Sequence, residues 1–405
     1  MKILLANKFH WNKGGSEKYY FELGELLKKH GHEVAYFSME DEKNIKTGDK
    51  EYFVPKFDLN NSSKLKALDV IYNKKNEELM EKALDDFKPD IVHLNNFQRQ
   101  LSASIIKPCK KRNIPVVFTA HDLQSVCPGI TMMDRNKKAC ELCVKGKYYN
   151  CIKKACNKGS KLKSIIGAIE AYYYRLAKIY FNKIDAIITP TQFYKEMLTK
   201  DGISQNKIFK IHNFLYLSDY KRTKVKEDKS VLYIGRLSSE KGINNLIDAF
   251  KNVDDYTLYI LGDGPEKEII KEKIKDKNNI ILVGFVSPDK VREYISKSSL
   301  VVVPSTWYEN GSYVAMESLA MGKCVLGANI GGIPEIVIDN ETGKLFKHDS
   351  VTDLNEKLTE LLNDEKLLEK YGIAGRKYIE KEFSSEFHYK NLMKLYKSLI
   401  KKGVK

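Results

Sequence analysis

Long apolar runs are missing from this 405-residue chain. No stretch approaches the ~18 consecutive apolar residues of a membrane-spanning helix. Proline is scarce too, with 10 in the whole chain, and 42% of the residues are hydrophobic against 30% charged. That balance excludes collagen-like and disordered classes and describes a globular protein. At the start, Ile3, Leu4, Leu5 and Ala6 are the only apolar residues between Lys2 and Asn7, too few for a secretory signal. The expected compartment is the cytoplasm, where the seven cysteines stay reduced. A chain of this length buries roughly three quarters of its unfolded surface and needs no disulfide or metal staple. It predicts two domains, or three.

Acidic side chains are in deficit, and the deficit is local. The formal net charge is +16. Residues 1–215 carry 38 basic and 24 acidic side chains, whereas residues 216–405 carry 31 and 29. Within the first half, residues 135–183 hold 13 basic and 2 acidic residues. A patch of this kind selects an anionic partner such as phospholipid, lipid-linked phosphate or nucleic acid.

Short β-branched runs at 2–6, 33–39, 91–95, 116–120 and 186–191 alternate with helical periodicities such as 16–29, where Tyr19, Tyr20, Leu23, Leu26 and Leu27 share a stripe. The second half repeats the scheme at 231–235, 257–261, 280–285, 300–304 and 325–328, with helices predicted at 242–250 and 289–297. Strands separated by helices pair in parallel through right-handed crossovers. The reading is α/β: two doubly wound domains facing a cleft, 1–215 and 216–383, joined through the polar stretch 216–230. A final segment, 384–405, forms an amphipathic helix that has to pack on something. Ligands of such sheets bind at the carboxyl ends of the strands.

Arg236 stands at the tip of the strand 231–235, and Lys241 lies near the first turn of the next helix. Two cations beside a helix N-terminus suit a diphosphate. Alone, such a pair is more simply two solvated surface cations. The run 304–317 follows another strand and opens a helix. There Asn310, Gly311 and Ser312 are suited to presenting backbone amides at the helix start, with Ser312 as N-cap. Glu309 and Glu317 would lie ~12 Å apart along a helix, beyond the roughly 5–9.5 Å of hydrolase pairs. Separate jobs follow: Glu309 near the reacting group, Glu317 accepting hydrogen bonds from a diol such as ribose. In the first half, Gly14-Gly15 alone reads as a turn. His121 alone is as readily a core histidine as a catalytic one, and His93 either lines an acceptor site or is structural.

Taken together, these motifs resemble the family-4 retaining glycosyltransferases of the GT-B fold. The resemblance rests on Glu309 and Glu317, Gly235-Arg236-Leu237 with Lys241-Gly242, Gly331-Gly332-Ile333-Pro334-Glu335 and Thr342-Gly343. It extends to Gly14-Gly15-Ser16-Glu17, His121-Asp122 and Ile211-His212-Asn213, and so covers nearly the whole chain. It implies that Arg236 and Lys241 bind the donor diphosphate and stabilise its departing charge, that Glu317 holds the ribose, and that Glu309 with the amides of Gly311, Ser312, Tyr313 and Val314 positions the sugar. Gly15 would admit backbone to the diphosphate, Val286 would lie near the base, and His121 would contact the donor sugar. The resemblance further implies retention without a protein nucleophile, transfer without a divalent metal, and a C-terminal helix returning to the N-terminal domain. Where Gly-Phe-Gly is the commoner version, this chain has Asn310-Gly311-Ser312-Tyr313, which bears on donor identity. The donor expected is a UDP-hexose, with a GDP-sugar next. The acceptor expected is a glycan or a polyprenyl-phosphate-linked glycan in surface polysaccharide synthesis.

Five cysteines crowd into an insertion, 127–160: Cys127, Cys140, Cys143, Cys151 and Cys156. The C-x2-C pair suggests a tetrathiolate structural zinc site, with free thiols and disulfides as the other readings. Related transferases with this loop match best at Cys127, Cys140, Cys143 and Cys156, with Cys151 as substitute. Cys109 and Cys324 read as small core residues. After the loop, Leu162, Ile165, Ile166, Ile169, Tyr172, Tyr173, Leu176 and Tyr180 form a helical stripe ringed by lysines. The stripe itself reads as a core face. The charge around it reads as docking on the anionic inner face of the cell membrane, since each nearby cation contributes about 1 kcal/mol. Nucleic acid is disfavoured, because no recognition motif accompanies the patch. Two other functions compete with the transferase: a nucleotide-sugar epimerase on the same fold, which would act without acceptor, and a non-catalytic basic, zinc-containing binding protein.

Overall fold

The apolar runs become the interiors of two parallel sheets in the computed structural model, which describes residues 1–57, 69–223 and 229–403. The connecting stretch 216–230 therefore lies partly outside the described residues. The first half supplies β1 (Lys2–Ala6), α1 (Gly15–Lys29), β2 (Glu33–Met39), β3 (Lys50–Val54), α2 (Lys74–Phe87), β4 (Ile91–Leu94), α3 (Ile106–Lys111) and β5 (Val116–Thr119). It continues with α4 (Tyr149–Lys154), α5 (Lys161–Leu176), β6 (Ala186–Thr189), α6 (Gln192–Lys200) and β7 (Ile208–Lys210). Its strands run in the order β3-β2-β1-β4-β5-β6-β7, and every pairing is parallel, with Ile3 opposite both Val34 and Ile91. Helices cover both faces of such a sheet, so its central strands read as unbroken apolar runs.

The second half gives β8 (Ser230–Ile234), α7 (Ile243–Ala249), β9 (Thr257–Leu261), α8 (Lys267–Ile274), β10 (Ile280–Gly284), α9 (Pro288–Lys297), β11 (Leu300–Val303) and α10 (Tyr313–Ala320). Then follow β12 (Cys324–Ala328), β13 (Gly343–Phe346), α11 (Val351–Leu362), α12 (Glu365–Glu382) and α13 (Ser385–Gly403). Here the order is β10-β9-β8-β11-β12-β13, again all parallel. Two compact units result: Met1–Arg135 with Cys140–Asn213 and His388–Lys405, and Phe214–Phe387 with Asn136–Ala139. Both are doubly wound α/β units, as expected. The final helix does return to the first unit. Leu392, Met393, Leu395 and Tyr396 are buried, and the Tyr396 hydroxyl meets His93 Nδ1 at 2.5 Å. With Nε2 at 2.7 Å from Thr119 Oγ1, both ring nitrogens of His93 are engaged, so this residue is structural.

Three strands escaped the sequence reading: β3, β7 and β13. Each ends a sheet. An edge strand is solvated along one side and tolerates charge, as Lys50, Glu51, Lys210 and Lys344 show, so its apolar run is diluted.

The cysteine insertion holds free thiols, one of the three readings open from the sequence, while the helix after it departs from expectation. All seven cysteines are free thiols, and among the described residues no group of three or more Cys, His, Asp or Glu is arranged to hold a metal ion. Cys127 and Cys143 interact side chain to side chain, as do Cys151 and Cys156. Burial raises the Cys151 thiol to about 12, while the contact with Cys143 lowers the Cys127 thiol. The stripe is a core face only in part: Tyr180 beyond α5 is buried, and Ile166, Tyr172 and Tyr173 are half-buried. Ser164, Gly167, Ala168, Glu170 and Tyr174 point inward, whereas Leu162, Ile165, Ile169 and Leu176 are exposed, Leu176 by 81%. Small side chains bring the α5 backbone against α4, which turns its bulky residues outward. Cys109 and Cys324 are fully buried, as read.

Candidate active site

In the second unit the loops after β8 and β11 are locked together. Gly242 has φ +70°, and a Cβ there would lie 1.7 Å from the Pro304 carbonyl oxygen. Only glycine lets the two turns touch. The Thr306 amide donates to the Glu240 carbonyl at 2.9 Å, which fixes their register. This brings Lys241 Nζ to 2.5 Å from Glu309 Oε1, although 68 residues separate them in sequence. Ser305 Oγ donates to the same oxygen at 2.8 Å, and Lys241 lies 5.0 Å from the centre of the Trp307 ring.

Glu309 is 8% exposed. Burial alone would raise its carboxyl, but the charge and hydrogen bond of Lys241, with Ser305, hold it below the ordinary value. It is a carboxylate at neutral pH. A third turn closes over it: Gly331 has φ +59°, and a Cβ there would sit 2.7 Å from both the Glu309 nitrogen and its oxygen. The Gly332 amide donates to the Glu309 carbonyl at 2.7 Å. The Gly-Gly dipeptide noted in the sequence thus acts by shape, as a backbone clamp on the glutamate.

Immediately after Glu309, Gly311 and Ser312 lead into α10. Ser312 caps it as read, its Oγ accepting from the Ala315 amide at 3.3 Å. Tyr313 and Val314 begin the helix, so their amides lie at the positive end of its dipole. One turn further on, Glu317 is half-buried and accepts from Tyr220 Oη at 2.9 Å. Arg236 is exposed just beyond β8, and Val286 is half-buried beyond β10. Arg236, Lys241, Val286, Glu309 and the start of α10 all follow strand ends. Sequence reasoning missed Tyr220, which orients Glu317 from within a stretch read as a linker, and Ser305. No periodicity marks either one.

In the first unit, Gly15 opens α1 and His121 follows β5. His121 Nε2 is 2.9 Å from Asn95 Oδ1, which places its proton on Nε2, and its ring lies 4.9 Å from that of Tyr19. Burial, reinforced by the Lys8 charge, lowers its pKa to about 3. His121 is therefore a neutral imidazole at physiological pH. Among the described residues no helix is long and apolar enough to cross a membrane.

Comparison with known proteins assigns both halves. Residues 13–218 match the Glycosyltransferase Family 4 model, and residues 218–378 match Glycosyl transferases group 1. The chain is 36% identical over 170 residues to an uncharacterised glycosyltransferase of Methanocaldococcus jannaschii, a match covering 42% of this chain and 48% of that protein. The chain thus spans about half the length of that relative. It is 27% identical to the capsular polysaccharide biosynthesis glycosyltransferase CapM of Staphylococcus aureus, over 61% of this chain and 70% of CapM. Among solved structures, Anabaena HepE in complex with UDP superposes with a TM-score of 0.73 at 16% identity, covering 98% of this chain and all of that one. With both halves matched and a like fold along its length, the chain belongs to the group 1, family-4 glycosyltransferases of the GT-B fold.

Proposed function

We propose that the protein transfers a hexose-type sugar from a nucleotide diphosphate sugar, UDP-linked first and GDP-linked second, to a glycan or lipid-linked acceptor of surface polysaccharide synthesis. The observation that carries this reading is the Lys241–Glu309 pair clamped beside the start of α10. Such a site offers fixed positive charge where a diphosphate would leave, and a carboxylate where a sugar hydroxyl would donate. HepE, solved with UDP, and CapM, a capsular polysaccharide enzyme, favour the nucleotide and the pathway class.

In this mechanism Arg236 and Lys241 hold the diphosphate with the amides of Tyr313 and Val314, so the charge is balanced without a divalent cation. Glu317, braced by Tyr220, accepts from the ribose diol. Glu309, Gly311 and Ser312 position the sugar, with Val286 beside the base. The bond from the anomeric carbon to the phosphate oxygen breaks, and that oxygen takes the acceptor proton. The acceptor oxygen bonds on the same face, so configuration is retained. Glu309 is engaged by Lys241 and Ser305 and is not a nucleophile in this scheme.

Membrane docking belongs to the same reading. The outward face of α5 combines Leu162, Ile165, Ile169 and Leu176 with the strongly basic 135–183 segment. An apolar stripe flanked by cations suits the anionic inner surface of the cell membrane, with the enzyme on the cytoplasmic side. Sedimentation with vesicles tests this. Binding to phosphatidylglycerol vesicles, lost in Leu162→Glu/Leu176→Glu, is the expected result; equal binding by the variant overturns it.

The donor site is tested by a thermal-shift panel of UDP, GDP, ADP, CDP and dTDP without added metal. At ~100 times its dissociation constant, a ligand stabilises the fold by about 2.7 kcal/mol. UDP is expected to raise the transition most, and Lys241→Ala and Glu317→Ala to abolish most of that rise. Equal shifts in wild type and both variants would refute the site.

A further inference from the structure

The cysteine insertion carries chemistry that the transfer reaction leaves unused. Its sulfurs lie together: Cys127 contacts Cys143 side chain to side chain, and Cys151 contacts Cys156. Cys143 and Cys151 share one small buried cluster with Tyr148 and Ala168, and Cys156 packs against it. The turn that follows Cys127 wraps around its sulfur. A Cβ on Gly129 would meet Cys127 Sγ at 3.6 Å and Cys156 Cβ at 3.3 Å. Ile130 stands at φ +74° and Met132 at φ +49°, and for a β-branched residue such as Ile130 that left-handed backbone is strained. Two backbone bonds hold the turn closed. The Ile130 amide donates to the Cys127 carbonyl at 2.8 Å, and the Cys140 amide donates to the Met132 carbonyl at 2.8 Å.

The turn brings the backbone of Gly129, Ile130 and Met132 to the Cys127 sulfur. With the Cys143 side chain, that backbone favours negative charge there against the opposing effect of burial. The same contact raises the Cys143 thiol, so the charge rests on Cys127. The remaining buried thiols stay protonated. Burial raises Cys109 and Cys151 to about 12, and it raises Cys156 and Cys324 as well. Access divides the thiols in the same way: Cys127 and Cys143 are each 7% exposed, whereas Cys109, Cys151 and Cys324 are fully buried. An activated thiol touching a second thiol is open to small oxidants. The neighbour captures the first oxidation product before it proceeds to irreversible acids.

The geometry points to a redox modification site in which a hydroperoxide oxidises Cys127 and Cys143 resolves the product to a disulfide. The Cys127 sulfur attacks one peroxide oxygen, the O–O bond breaks, and water leaves, with a sulfenic acid formed on Cys127. Cys143 then attacks that sulfur, the S–O bond breaks, and the oxygen leaves as water with the Cys143 proton. Two thiols and one hydrogen peroxide give one disulfide and two waters; the sulfurs lose the two electrons that the peroxide gains. Peptide mapping of the reduced full chain after brief treatment with hydrogen peroxide, with remaining thiols alkylated, tests this. The expected product is a Cys127–Cys143 linkage that dithiothreitol reverses, formed at least about tenfold faster than any oxidation of Cys140. Cys140 is the more exposed thiol, so exposure alone predicts the opposite order. Cys143→Ser is expected to strand the sulfenic acid on Cys127, where dimedone traps it, and Cys156→Ser to leave the linkage unchanged. Oxidation led by Cys140, a Cys151–Cys156 linkage in its place, or no linkage at all overturns the site. So does about one equivalent of zinc in chain purified without chelator and lost in Cys127→Ser, because these thiols would then be metal ligands. Should a variant fail to fold, as judged by its thermal transition, the wild-type map decides.

Discussion

The two units share one architecture and use their strand ends in opposite electrostatic ways. In the second unit, Lys241 is matched to a carboxylate, and turns that admit only glycine at Gly242 and Gly331 hold the pair in place. In the first unit, among the described residues around the β1–β4 ends, six cations and two carboxylates line a cavity whose wall is aromatic rather than glycine-tight. A paired, clamped site is organised before any ligand arrives and favours a precisely oriented reacting group. The comparison places a preorganised pair in the second unit and concentrated positive charge in the first.

Breaking the paired side carries the largest expected effect. Lys241→Ala removes the partner of a buried carboxylate, leaving Glu309 charged and uncompensated, and removes a cation from the departing diphosphate. Transfer measured by release of nucleotide diphosphate is expected to fall about 10²–10³-fold. Loss of tenfold or less would show that Lys241 is not at the reacting centre. Next in size is the brace on Glu317. Tyr220→Phe deletes one hydrogen bond worth about 0.5–1.5 kcal/mol, so UDP affinity is expected to fall about 2- to 10-fold with the fold intact. An unchanged dissociation constant would detach Glu317 from the nucleotide.

On the first-unit side the expected effect is one of stability with pH. Burial holds His93 and His121 at about 3 and His388 at about 4, all below the ordinary 6.5. The unfolded chain therefore takes up protons between pH 6.5 and about 4 that the folded chain refuses. Stability is retained above 6.5 and falls as pH drops through that window, by up to about 1.4 kcal/mol per pH unit for each histidine. Urea unfolding at pH 7.5 and 5.0 reads this directly. A midpoint unchanged over that interval would mean that these imidazoles are hydrated in the folded protein.

Much of this contrast was legible in the sequence, and the illegible part has a physical pattern. Central strands such as β1, β2 and β9 announce themselves because both faces and both edges are covered, which demands unbroken apolar residues. The edge strands β3, β7 and β13 obey weaker demands and went unread. Arg236, Lys241, Glu309, Ser312 and Glu317 stood out because turn chemistry and strand ends are local. Tyr220 and Ser305 did not, since a hydroxyl that braces a carboxylate 97 or 4 residues away needs only the right backbone, not a pattern. The α5 stripe misled for the opposite reason. Helical periodicity reports that one face is apolar, but whether that face meets the core depends on which side chains are small enough to let a neighbour approach. Here Ser164, Gly167 and Ala168 settled that question.

The smallest expected effect sharpens the comparison most, because it separates electrostatics from stability within one residue. Ser312 caps α10 through its hydroxyl and contributes no charge. Ser312→Ala is expected to destabilise the second unit by about 1 kcal/mol, the ordinary cost of losing such a cap. If the start of α10 also holds a diphosphate, a frayed first turn scatters the amides of Tyr313 and Val314, and UDP affinity falls beyond what the stability change explains. Ser312→Asp restores the cap but adds a negative charge where the diphosphate would lie. Stability is then expected to recover while UDP binding worsens further. Recovery of both in the aspartate variant would show that the helix start only supports the fold, and the orienting role would pass to Lys241 and Glu309 alone.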